Sequence, residues 1–234
     1  MIRNSLAAVV LLLPILGAAT TRASAADVPA ERALAVAPVA AFKRPPSFYV
    51  HVGIAGVILD EGAKINVGGN RIVGGDVEIK PQVTPAVEIG YFFTPELAVS
   101  FTGGYPPRIK VEAAGTMDGM GLVGRSTYGP MTLTAHYHFQ GFGRFQPYIG
   151  LGAAFMVVFD RKDGLMTQLE IDNAAGVALQ VGADYMIDDH WGIFIDFKKA
   201  YLRTEARGFL GPAPVKADIR LDPAVVHGGV TYRF

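Results

Sequence analysis

From Ser47 to the C terminus, apolar and polar residues alternate with a period of two, broken at intervals by turn-forming residues. In the segment 145–159, Ile149, Leu151, Ala153, Phe155, Val157 and Phe159 share one side, with Tyr148, Gly150, Gly152, Ala154 and Met156 on the other. In 127–139, Met131, Leu133, Ala135, Tyr137 and Phe139 alternate with Thr132, Thr134, His136 and His138. Ile193, Ile195 and Phe197 stand against Asp196 and Lys198, and Val226, Val230, Tyr232 and Phe234 against His227, Thr231 and Arg233. The pattern predicts eight strands, over 48–59, 82–93, 97–111, 127–139, 145–159, 174–187, 191–206 and 216–234. The connections alternate in length. Residues 94–96, 140–144 and 188–190 are short turns, whereas 60–81, 112–126, 161–173 and 207–215 are long and mostly rich in Gly and charge. Short turns at one end and long loops at the other mark an all-β, eight-stranded antiparallel up-and-down transmembrane β-barrel. A soluble barrel has no need of that asymmetry.

The placement of large side chains supports the membrane assignment. Eight strands enclose room only for packed side chains or one small ligand. Rows of large apolar residues therefore belong outside, with small and polar residues in the lumen. Phe93, Phe139, Tyr185, Trp191, Tyr232 and Phe234, together with Phe48, Tyr91, Phe92, Tyr137, Phe145 and Tyr148, gather near the short turns and termini. An interfacial aromatic girdle explains such clustering; a soluble core does not.

Composition narrows the alternatives. Half of the 234 residues are hydrophobic, Lys+Arg and Asp+Glu balance at 21 each, and Cys is absent. A disordered chain, a disulfide scaffold, thiol catalysis and Cys-ligated metals are thereby excluded. Balanced charge without a basic run offers no footprint for nucleic acid. The longest uncharged apolar run after the N-terminal segment, 145–159, is too short for a spanning helix and contains Gly150 and Gly152. Residues 1–25 combine Arg3, an apolar run from Leu6 to Ala19, and Ala23-Ser24-Ala25, the pattern of a signal peptide cleaved before Ala26. Residues 26–46, rich in Ala, Val and Pro, are expected to form a periplasmic leader ahead of a barrel over 47–234.

Four segments carry a resemblance: Gly129–Phe139 (GPMTLTAHYHF), Gln146–Gly152 (QPYIGLG), Gly182–Asp196 (GADYMIDDHWGIFID) and Asp222–Phe234 (DPAVVHGGVTYRF). In order and spacing the chain resembles the outer-membrane protein W (OmpW-like) family of Gram-negative bacteria. The resemblance implies an outer-membrane barrel with a narrow, largely apolar channel for small hydrophobic compounds. Tyr232-Arg233-Phe234 resembles the terminal signal by which such barrels are recognised for assembly, with Phe234 as its last residue. The sequence departs from the family at Tyr105-Pro106-Pro107-Arg108, where the usual single proline is doubled, and in a Gly-rich first loop with no matching residue.

The inward rows supply the candidate chemistry. Glu88, His136, His138, Asp184, Asp196, Lys198 and Arg233 are expected to pair into a polar plug across the lower lumen. Ala154, Met156 and Val158 would line an apolar funnel above it, and the ligand would leave sideways into the bilayer. His136 and His138 share a face at metal-binding spacing, but no third ligand is evident beside them, so neither metal nor cofactor is expected. Lys199 falls on the outward row, positioned to snorkel towards lipopolysaccharide phosphates or to turn inward at a bulge. Catalysis by a barrel hydrolase is not expected: Ser100 and Ser126 show no histidine at a matching level. Gly68-Gly69 and Gly74-Gly75 suit flexible external loops. The expected function is a narrow channel or binding funnel for small hydrophobic molecules. The competing one is a structural or adhesive barrel whose loops bind an external partner without transport.

Overall fold

The computed structural model describes residues 47–234, so the expected signal peptide and leader lie outside the described residues. In chain order the strands begin β1 (Ser47–Ile58), β2 (Gly62–Val67), β3 (Asn70–Arg71), β4 (Gly75–Glu78), β5 (Gln82–Phe92), β6 (Leu97–Gly104), β7 (Arg108–Gly115) and β8 (Leu122–His138). They continue with β9 (Phe145–Asp163), β10 (Thr167–Ile171), β11 (Ala174–Met186), β12 (Trp191–Tyr201), β13 (Arg203–Leu210), β14 (Ala213–Arg220) and β15 (Ala224–Arg233). Antiparallel pairing runs β1-β5-β6-β8-β9-β11-β12-β15 and returns to β1, which closes an eight-stranded barrel. Closure leaves no unpaired edge around this ring, the condition for strands to cross a bilayer.

Beyond the barrel, the long connections are themselves folded. A second, five-stranded sheet runs β10-β13-β14-β2-β3, and β4 and β7 extend the wall beside β8. The expectation of flexible glycine loops is therefore corrected: Gly68, Gly69, Gly74 and Gly211 occupy the left-handed region at tight turns between strands. Three expected strands also divide near one level. The 97–111 strand breaks at Tyr105-Pro106-Pro107, where two prolines lack the ladder N–H. The 191–206 strand breaks at Leu202, and the 216–234 strand at 221–223, where Asp222 has a φ of 28° ahead of Pro223.

The path through β12 and β13 shows what the alternation encodes. The outward residues run Trp191, Ile193, Ile195, Phe197, Lys199, Tyr201, Arg203, Glu205 and Arg207, apolar below and charged above. The inward residues run Phe194, Asp196, Lys198, Ala200, Leu202, Thr204 and Ala206, polar in the middle and mostly apolar above. The period survives while the chemistry of the two faces exchanges. Outside, the exchange at Tyr201–Arg203 marks the end of the apolar belt. Inside, Lys198–Ala200 marks the passage from a polar layer to an apolar interior.

The girdle residues Phe93, Phe139, Tyr185, Trp191 and Phe234 are exposed on the outer face, and Tyr232 is partly exposed between them. Edge-on contacts link Trp191 to Tyr232 and Tyr232 to Phe234 at 4.7 and 4.9 Å. Phe92 and Tyr148 do not belong to this girdle, because both point into the barrel and are buried. Tyr148 lies opposite Gly182, and Tyr49 opposite Gly90, each ring covering the glycine so closely that a Cβ there would fall 2.6 and 2.1 Å from ring carbons. Glycine thus makes room for each of these two inward aromatic rings in a narrow lumen.

Candidate functional site

The lower lumen is filled by a buried polar layer. Glu88, Asp184, Asp196, Lys198 and Arg233 project into it from β5, β11, β12 and β15, joined by His136 and His138 from β8. The Lys198 ammonium donates to both Asp196 carboxylate oxygens at 2.9 and 2.8 Å and lies 3.1 Å from Glu88 Oε2. Glu88 also accepts from Thr102 Oγ1 at 2.7 Å and from the Tyr49 hydroxyl at 3.2 Å. At the turn end, Arg233 pairs with Asp184, donates to Gln146 Oε1 at 2.6 Å and lies over the Phe92 ring. His51, between Glu88 (3.5 Å) and Asp184 (3.3 Å), stacks on Phe194. Three carboxylates face two cations, with His51 standing between two of the carboxylates.

His136 joins this layer through groups that sequence separation conceals. Its Nε2 lies 3.1 Å from Ser100 Oγ, 2.7 Å from Thr134 Oγ1 and 3.0 Å from Gln180 Oε1, and its Nδ1 is 3.3 Å from the Tyr49 hydroxyl. Ser100 therefore does have a histidine at its level, contrary to the sequence expectation. Both side chains are almost wholly enclosed. His138 packs against Phe92 and Tyr148.

Metal-ligand geometry also arises away from the expected pair. Ligand atoms of His51, Glu88 and Asp196 lie within 4.8 Å of one another, brought together from β1, β5 and β12 across the lumen. The Lys198 ammonium stands against two of these three groups and already supplies a cation there.

Above the polar layer are two small apolar cavities. The lower, about 50 Å³, is lined by Val57, Leu59, Tyr128, Ala154, Met156, Ala200 and Leu202, with Lys198 among its lining residues. The upper, about 60 Å³, is enclosed by the folded connections and lined by Ile65, Val77, Val111, Met117, Met166, Leu169, Val215 and Ala217. Ala154 and Met156 thus line a cavity, while Val158 lines neither. Val158 sits where β9 leaves β11 after the Met156↔Ala174 pair, its N–H bound by Asn173 Oδ1 at 2.8 Å. The upper cavity was missed because most of its residues lay in presumed loops. Ile65 and Val67 against Lys64 and Asn66, and Val215, Ala217 and Ile219 against Lys216, Asp218 and Arg220, carried the signal.

Lys199 remains on the outward row, with unbroken pairing to Leu179 and Ala224, which excludes an inward bulge. Its Nζ donates to the Asp222 carbonyl at 2.6 Å, so the ammonium is tied to the barrel rather than extended towards lipid phosphates.

The closed barrel, its apolar outer belt and the enclosed polar layer define the architecture against which relatives can be compared. The OmpW family model matches residues 45–234. The chain belongs to the OmpW family. The dibenzothiophene metabolism operon protein PahQ of Pseudomonas aeruginosa is 34% identical over 78% of this chain and 86% of that protein. The outer membrane protein AlkL of Ectopseudomonas oleovorans is 33% identical over 75% of this chain and 76% of its own. Among solved structures, AlkL in lipid bilayers superposes with a TM-score of 0.68 at 29% identity, covering 90% of this chain and 97% of that one. The crystal structure of OprG from Pseudomonas aeruginosa gives a TM-score of 0.75 at 24% identity, covering 82% and 97%, and shows the shared fold. This OmpW-family chain is a β-barrel of the Gram-negative outer membrane.

Proposed function

We propose that the barrel takes small hydrophobic molecules from outside the cell through its folded extracellular end and releases them sideways into the bilayer above the polar layer. The carrying observation is the vertical order: an apolar interior stacked on a layer of paired, enclosed charge. Glu88, His136, His138, Asp184, Asp196, Lys198 and Arg233 act as the plug, and Ala154 and Met156 belong to the ligand path. At about 50 and 60 Å³ the cavities are smaller than the ~150 Å³ that admits benzene, so passage requires side chains to move. Met117, Met120 and Met166, unbranched and flexible, line the upper cavity and suit that task.

A seam in the wall supports sideways release. Pairing of β6 with β8 ends at Gly103↔Met131, and β7 resumes it at Arg108↔Thr127. Between them Pro106, Pro107 and Pro130 carry no N–H, and one 3.4 Å bond from Tyr128 N to the Pro107 carbonyl bridges the gap. Pro130, Met131 and Phe155 also line the lower cavity, and Phe155 is exposed on the outer face. The doubled proline therefore lies across the seam from a segment that lines the lower cavity. Dibenzothiophene metabolism in the name of PahQ agrees with an apolar cargo. Lipopolysaccharide is a second partner of the mature barrel, and Phe234 serves the outer-membrane assembly machinery.

Uptake of a small apolar solute by deletion and complemented cells tests this function. Ala217→Phe, which fills the upper cavity, is expected to lower uptake several-fold while heat-modifiable gel mobility stays that of the folded barrel. Equal uptake with and without the protein would instead favour the adhesive alternative. A large, weakly selective conductance from the purified wild type would overturn the plug.

A further inference from the structure

The extracellular wall carries a row of like charge. Lys110 on β7 pairs in register with Arg125 on β8, and Arg125 pairs with Lys162 on β9. Residues directly opposite one another share a face, so three exposed cations stand side by side on the outside of three neighbouring strands. Like charges in that position oppose sheet formation. None of the three has an ion pair or side-chain hydrogen bond among the described residues.

The surroundings sharpen the contrast. On the row below, Arg108 and Asp160 flank Thr127 and balance each other in charge. Asp163 is engaged with the backbone N–H groups of Gln168 and Leu169, and Glu112 lies 4.0 Å from Lys80. On the five-stranded sheet three cations have acids: Lys216 meets Glu205 at 2.8 Å, Arg207 pairs with Glu205, and Arg220 reaches Asp222 at 3.4 Å. The Lys110–Arg125–Lys162 row is left with its charge uncompensated.

Its height indicates what compensates it. Below it on β9 the outward residues Val157 and Phe155 belong to the apolar belt, and the bulged Phe159 is exposed. Three residues further, Lys162 stands about 8 Å above Phe159 along the membrane normal, for a strand rise of ~3.3 Å and a tilt near 40°. That is headgroup depth on the extracellular side. We infer that Lys110, Arg125 and Lys162 form a docking site for the phosphates of a lipopolysaccharide molecule in the outer leaflet, whose acyl chains lie along the belt beneath.

The site goes beyond solute passage and rests only on the barrel's place in the outer membrane. Purified barrel in detergent is incubated with lipopolysaccharide, with the same glycolipid after removal of its lipid A and core phosphates, or with inorganic phosphate, and bound lipid is read by native mass spectrometry. Wild type is expected to retain the phosphorylated form at least tenfold better than the dephosphorylated one. The triple variant K110Q/R125Q/K162Q is expected to lose that preference, whereas R207Q/K216Q keeps it. Heat-modifiable mobility reports folding of each variant, and R125Q alone gives a smaller loss in the same direction should the triple variant misfold. Equal retention by wild type and by folded K110Q/R125Q/K162Q or R125Q overturns the site. So does full competition by millimolar inorganic phosphate, which would mark a general anion surface.

Discussion

Replacing Lys198 by Met offers the sharpest test of how the polar layer is held together. The substitution keeps most of the side-chain volume and removes the charge. It strips Asp196 of contacts at 2.8 and 2.9 Å and Glu88 of one at 3.1 Å, in a place where all three side chains are at most 4% exposed. Gln180 Nε2, 3.4 Å from Glu88 and 3.3 Å from Asp196, remains as a weak donor to each. Removing one member of a buried ion pair typically destabilises by ~3–5 kcal/mol, because the partner charge stays enclosed. The expected loss for Lys198→Met lies in that range. Trp191, the single tryptophan, sits in the girdle at the end of β12 and reports unfolding directly. Denaturant titration in lipid vesicles, followed by its emission, should show a lower midpoint at unchanged slope. Glu88→Gln added to Lys198→Met should recover part of the loss, since one enclosed carboxylate is then neutral. A single variant within ~0.5 kcal/mol of wild type would refute the view that Lys198 balances Glu88 and Asp196.

Two further substitutions probe other elements. Gly182→Ala places a Cβ 2.6 Å from the Tyr148 ring and is expected to cost ~1–3 kcal/mol through overpacking, visible in the same titration. At the turn 188–190, the Asp188 carboxyl accepts from the Trp191 and His190 backbone N–H groups at 2.7 and 2.8 Å, and these bonds hold its pKa below the usual carboxylate value. A depressed folded pKa contributes stability above the ordinary value of about 3.9 and loses it as pH falls through the lowered one. The difference between wild type and Asp188→Ala should therefore narrow below about pH 4, and a pH-independent difference would show that the charge has no part.

The barrel could be read from the chain because its two periods agree: inward and outward residues alternate, and short and long connections alternate. Ile193, Phe194, Ile195 and Asp196 need no partner to declare their faces. The breaks at Leu202 and at 221–223 were harder to see, since the alternation runs straight through Leu202 while only the hydrogen-bond partners change. The meeting of His136 with Ser100 and Tyr49 was also hidden. Parity says that all three point inward, but strand stagger and rotamers decide which inward groups touch across a closed lumen. For the same reason His136 and His138 drew attention as ligands while His51, Glu88 and Asp196 converged from three strands.

The exchange of chemistry along β12 and β13 gives the strand something like a reading frame. One residue inserted or deleted ahead of Ile193 would move every later side chain to the opposite face, up to the next bulge or turn. Asp196 and Lys198 would enter lipid, Ile195 and Phe197 would crowd the lumen, and Arg203 and Arg207 would be driven into the apolar interior. A frameshift of this kind damages the belt, the plug and the ligand path in one step, although no single residue has been exchanged. Length can therefore vary freely only where the frame is reset, at turns such as Gly68-Gly69 and Gly211.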